Sequence, residues 1–161
     1  MAYTAFDPRK AIRTSIKSAD FFVHGKVEEC ISVVDKNGNP LHVPMFVEEE
    51  VAVECPPYPY IEISLLSIPA EPHNIKATVR KHTCLVAFDI KFTNDDNNDV
   101  TSFGKKVADV IVHQTRTYQC TTTGVDFMNV HNQGRIHIEH NCEDAILHWI
   151  MELQANYNDA C

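Results

Sequence analysis

The chain has 161 residues, with 14 Lys and Arg against 22 Asp and Glu, a formal net charge of −8, and 44% hydrophobic residues. A chain of this length suits one domain (1–161) and can bury about 68–70% of the surface its unfolded form exposes, so neither a metal nor a disulfide is needed for folding. Five Gly and eight Pro exclude collagenous and low-complexity classes, and the acidic balance opposes the phosphate contacts on which sequence-independent nucleic-acid binding depends.

The opening segment Met1–Lys10 lacks the apolar stretch of a signal peptide, and no apolar run approaches the roughly 18 residues of a membrane span. The expectation is a soluble protein made in the cytoplasm, with no membrane partner and no direct nucleic-acid binding. Cys30, Cys55, Cys84, Cys120, Cys142 and Cys161 stand singly, without a CxxC pair. Structural zinc sites use closely spaced pairs and disulfide frameworks belong to secreted chains, so these read as reduced, small apolar residues.

In chain order, Asp7-Pro8 resembles an N-cap followed by proline at the first helical position, and Ile12, Ile16, Ala19 and Phe22 recur at helical spacing. This predicts a helix over Asp7–Phe22, made basic by Arg9, Lys10, Arg13 and Lys17. Val27–Val34 is β-branched, Lys36-Asn37-Gly38-Asn39 signals a turn, and Leu41–Val47 can return as a hairpin. Pro40 and Pro44 cannot donate ladder hydrogen bonds, which predicts a returning strand that is short or at an edge. The acidic Glu48-Glu49-Glu50 and the corner Cys55-Pro56-Pro57-Tyr58-Pro59 separate this insert (27–47) from the main sheet and central helix (57–157).

Ile61, Ile63 and Leu65 alternate with Glu62 and Ser64, giving a half-buried strand that ends before Pro69. A second β region runs from Ile75 to Thr93, with Cys84, Val86, Phe88, Ile90 and Phe92 on one face. Arg80-Lys81-His82-Thr83 reads as a bend or as part of one long strand. The helix over Val100–Tyr118, capped by Asp99, carries an apolar stripe of Val100, Phe103, Val107, Val110, Ile111 and Tyr118. A hairpin over Val125–His140 turns at Asn132-Gln133-Gly134. From Leu147 to Tyr157 the odd positions are mostly large and apolar, which favours a strand, although Ile146, Ile150, Leu153 and Tyr157 would also line a helix. The fold class is α+β: a mostly antiparallel sheet with a central helix on one face, an N-terminal helix and an N-terminal hairpin insert.

Candidate chemistry is sparse. The run Asn94-Asp95-Asp96-Asn97-Asn98-Asp99 fails as an EF-hand, because either starting residue leaves no Gly for the sharp turn and puts Lys where a bidentate Glu must close the site. His131, His137, His140 and His148 accompany Glu139, Cys142, Glu143 and Asp144. In a strand His137 and Glu139 share one face and His140 and Cys142 the other, so two ligands with His148 and a water would make a catalytic zinc site. The spacing matches no zinc motif, and polar strand faces are the reading adopted. There is no GxSxG elbow or phosphate loop; the isolated Gly104 reads as a close-packing position. No catalytic, cofactor-binding or metal residue is assigned, and no cofactor is expected.

The order of elements is more informative: helix, extended insert, Pro59-Tyr60-Ile61-Glu62-Ile63, the Ala77–Thr93 β region, the Val100–Tyr118 helix, a hairpin, and the amphipathic strand His148–Tyr157. Over about Pro57–Tyr157 this order resembles the tail-terminator, or tail-completion and head-tail joining, proteins of long-tailed phages and related proviruses. The resemblance implies a non-enzymatic viral structural protein that forms a homo-oligomeric ring at the end of the tail tube. Its implied partners are the tail-tube and head-connector proteins, and its final location is the virion. The Val27–Val47 insert and the high His and Cys counts depart from the pattern, and no functional residue is carried over. In a ring, the basic first helix and the acidic Glu48–Glu54 segment would offer complementary surfaces. The alternatives are a stand-alone binding or regulatory module and a metal-dependent enzyme using the late His, Glu and Cys cluster.

Overall fold

The computed structural model describes residues 7–35, 37–67, 79–93, 103–119, 124–140 and 145–160. Asp7 opens helix α1 (Pro8–Ile16). Its carboxylate accepts the Arg9 amide at 3.0 Å, and Pro8 takes a position that needs no amide hydrogen. Ile12 and Ile16 form the buried stripe. The helix expected to reach Phe22 stops at Ile16, and Ala19–Val23 is instead strand β1. Phe21-Phe22-Val23 favours a strand, and β2 (Lys26–Val34) supplies its antiparallel partner, with Phe22 opposite Val27. His24 and Gly25, both at positive φ, make the turn.

Strands β2 and β3 (Pro40–Val47) form the expected hairpin. The Asp35 carboxylate accepts the Asn37 and Asn39 amides, each at 2.9 Å, and Gly38 adopts a φ of 84°. The expected edge position of β3 is corrected, because β3 lies inside the sheet. It pairs with β2 over Pro40–Pro44 and with β4 (Tyr60–Ser67) over Met45–Val47. Each proline therefore sits where β3 has a strand partner on one side alone. Between β3 and β4, Glu48–Glu54 forms helix α2, where the acidic run marks only a separation between the insert and the main sheet in the sequence. The Val47 amide donates to Glu50 at 2.9 Å, and three glutamates occupy the first turn, where the helix dipole favours them.

The corner Cys55–Pro59, with a cis Tyr58–Pro59 bond, leads into β4 as expected. Strand β5 (Val79–Thr93) is one long element including Arg80–Thr83, and Cys84, Val86, Phe88, Ile90 and Phe92 are buried on its core face. The expected start near Ile75 lies outside the described residues, as do Asp99 and Val100. Helix α3 (Lys105–Thr117) buries Val107, Ala108, Ile111, Val112 and Thr115.

The hairpin expected within Val125–His140 is corrected. These residues form a single strand, β6 (Val125–His140), and Asn132–Gly134 is an irregularity in its pairing with β7 (Ala145–Ala160). The C-terminal segment is a strand, with Leu147, Met151, Leu153, Ala155 and Tyr157 buried and Trp149 partly so.

The strands form one seven-stranded sheet in the order β1-β2-β3-β4-β5-β7-β6, antiparallel except for β3 with β4. Helix α3 contacts β2 near one end of this order and β6 and β7 at the other, and α1 also reaches β6. The sheet therefore curls around the two helices, and one apolar core fills its concave side. This is the expected α+β arrangement, with helices α1 and α3 against one face.

Candidate functional site

Strand alternation puts the polar residues of β4, β5, β7 and β6 on the convex face of the sheet. Lys91, His148 and His137 are successive neighbours across three strands, and Glu62 lies opposite Asp89. The Lys91 ammonium donates to Glu62 at 2.9 Å, and both side chains are largely buried. Burial alone would lower the Lys91 pKa, but the Glu62 hydrogen bond and charge outweigh it and hold it above its ordinary value. His148 is buried between two carboxylates: Nδ1 is 2.9 Å from Asp89, and Nε2 is 3.2 Å from Glu139. The His137 ring lies 5.5 Å away, centroid to centroid.

His137, Glu139 and His148 are thus brought together, as the metal reading required, but the geometry is wrong for a shared ion. The two carboxylates approach opposite nitrogens of one imidazole, so they diverge across its ring. Among the described residues no group of three or more His, Cys, Asp or Glu side chains is placed to hold a metal. Cys142, Glu143, Asp144 and the Asn94–Asp99 run lie outside the described residues, and His131 is exposed on β6.

The charged surfaces expected to face each other between subunits meet within the chain. Arg9 pairs with Glu49 at 3.0 Å, Arg13 pairs with Glu50, and Lys26 pairs with Glu54 at 3.0 Å. Beside them Glu28 is buried. Burial and the neighbouring Glu54 and Glu50 charges raise its pKa, against the pull of Arg13 and Lys26. The sequence shows both charge blocks but not α2, and α2 is what folds the acidic block back onto α1.

A second polar group lies on β2 and β3, where Ser32 Oγ is 2.9 Å from His42 Nδ1 and the buried Cys30 Sγ is 3.7 Å from the same nitrogen. Burial raises the Cys30 pKa, so its thiol is held in the protonated, weakly nucleophilic form. No carboxylate is hydrogen-bonded to His42 among the described residues, so the arrangement lacks the orienting group of a catalytic triad.

Both ends of the sheet expose apolar side chains. At the β1 end, Phe22 and Val27 face each other at 70% and 67% exposure. At the β6 end, the first half of the strand packs under α3 through Val125 and Met128, whereas Ile136 and Ile138 are 46% and 44% exposed. All four project from the same face of the sheet as the core residues, beyond the reach of α1 and α3. The sequence reading missed this, because alternation marks Ile136 and Ile138 as core-facing without showing where the helices end. No described helix is long and apolar enough to cross a membrane. No protein-family model matches the chain, and no curated protein matches it.

Proposed function

We propose that the chain is a non-enzymatic assembly subunit of the tail-terminator type, forming a homo-oligomeric ring at the end of a phage or provirus tail tube and joining it to the head. One observation carries this reading: a single curved sheet ends in an edge strand on each side, β1 and β6, each with one strand neighbour among the described residues, and each end exposes apolar side chains on the same face. Head-to-tail closure needs two different surfaces on one subunit, and Phe22 with Val27 at one edge and Ile136 with Ile138 at the other supply such a pair. Exposed edges of this kind are ordinarily blunted or covered. The order of helices and strands that resembles this family supports the same reading, with the single strand β6 in place of the hairpin expected there. Arg9, Arg13, Glu49, Glu50 and Glu54 are already engaged in ion pairs within one subunit, so this reading gives them no role between subunits. The test is electron microscopy of the chain mixed with a tail-tube protein from the same source. Rings capping one end of each tube are expected; tubes left bare at saturating chain would overturn the proposal.

A further inference from the structure

We propose that the free chain forms a two-fold dimer in which residues 135–139 of β6 pair antiparallel with the same residues of a second copy. This is a property of the isolated protein and does not rest on the ring reading, because a two-fold contact is self-complementary and a ring contact is not.

β6 ends the sheet, and its backbone pairs with β7 alone among the described residues. Asn132–Gly134 interrupts the ladder, but Arg135–His140 pairs regularly with Ala145–Ile150, leaving an outer edge of regular register with exposed residues at 135–139. Such an edge is a template for another strand of the same kind.

The side chains select the partner. Pairing across a two-fold axis through His137 puts Ile136 opposite the other copy's Ile138, and Arg135 opposite its Glu139. Each contact occurs twice. Shifting the axis to Ile136 or Ile138 separates Arg135 from Glu139 and breaks the Ile136–Ile138 match. Among the described residues Arg135 has no ion-pair partner. Among the described residues the one polar partner of Glu139 is His148, at 3.2 Å through one oxygen, and its side chain is 60% exposed, leaving the second oxygen for a guanidinium. Directly opposed unlike charges and apolar pairs stabilise antiparallel strands, and like charges destabilise them. A second copy is therefore the occupant that this edge fits in both charge and apolar pattern.

Arg135→Glu and Glu139→Lys test this by complementation. Each variant alone opposes like charges at both ends of the contact, and its dimer dissociation constant should rise by roughly tenfold or more. In an equimolar mixture each altered charge meets its opposite, so dimerisation should return towards that of the unaltered chain. Light scattering over a concentration series reads the mass, and thermal melts confirm that both variants remain folded. Ile138→Lys should also give monomer, with no rescue by either charge variant. A monomeric unaltered chain at every concentration, or a dimer indifferent to Arg135→Glu, would overturn the proposal. A dimer that behaves as expected while tubes stay uncapped would leave it standing and remove the ring reading.

Discussion

Trp149 lies directly over Gly134 and leaves no room for a side chain there. The indole Nε1 donates to the Gln133 carbonyl at 3.0 Å, and a Cβ on Gly134 would come within 2.6 Å of the indole Cε2. Gly134 also holds a φ of 145°, which side-chain-bearing residues rarely adopt. On the other side, Gly104 at the start of α3 would place a Cβ 3.0 Å from Trp149 Cβ and 3.2 Å from Phe92. The ring is thus clasped between a strand irregularity and a helix start, which ties β6, β7 and α3 together.

Gly134→Ala should therefore destabilise the fold by about 2–4 kcal/mol, combining overpacking with backbone strain. Trp149→Phe keeps much of the apolar area but loses the hydrogen bond, and should cost about 1–3 kcal/mol. Chemical denaturation of both variants checks the ranking. Equal stability of Gly134→Ala and the unaltered chain would contradict the close approach.

Glu28 gives a pH prediction. Its folded pKa is raised by burial and by the Glu54 and Glu50 charges, so the folded state binds its proton more tightly than the unfolded state does. Stability from this group is fully present below the ordinary carboxylate pKa and falls as pH rises through the folded value. Glu28→Gln should be more stable than the parent near pH 7, with the difference shrinking towards about pH 4. Urea midpoints at the two pH values measure it. A glutamine variant that is less stable at neutral pH would contradict the assignment.

The Asp7 cap gives the opposite sign. Burial would raise its carboxyl, but the Arg9 hydrogen bonds and charge outweigh this and hold it below its ordinary value. Its contribution is present above the unfolded pKa and lost as pH falls through the folded one. Asp7→Ala should cost about 1 kcal/mol near neutral pH, and less in acid. Thermal melts across that range would show the gap narrowing.

The thiols separate by burial. Cys84 is buried and pushed up to about 11, Cys30 is buried and raised, and Cys55 is exposed. Cys55→Ser should remove one rapidly alkylated site from the native protein, whereas Cys84→Ser should leave the fast count unchanged. Intact-mass measurement after brief alkylation reads both.

Much of this fold was legible where one face of an element meets the core. The alternation of β4, β5 and β7 and the stripe of α3 follow from half-burial, and Asp7-Pro8 marks the start of α1 because capping is local. Elements set by partners were not legible. Ala19 and Phe22 keep helical spacing after Ile16, yet β2 captures them as a strand. Asn132-Gln133-Gly134 has the composition of a turn, but β7 continues past it and holds both halves in one ladder. The convex-face cluster combined legible and hidden parts. His137, Glu139 and His148 stood out by type, whereas Asp89, far away in sequence, is brought to His148 by the β5–β7 register.

The most direct test of the proposed assembly is the mass of the chain by light scattering across concentration, alone and with a tail-tube protein from the same source. The expected result is a monomer–dimer equilibrium for the chain alone and a discrete higher oligomer when the tube is present. If the proposed apolar edges hold it, that oligomer should survive moderate salt. A chain that stays strictly monomeric at every concentration and ionic strength, with and without the tube, would contradict it.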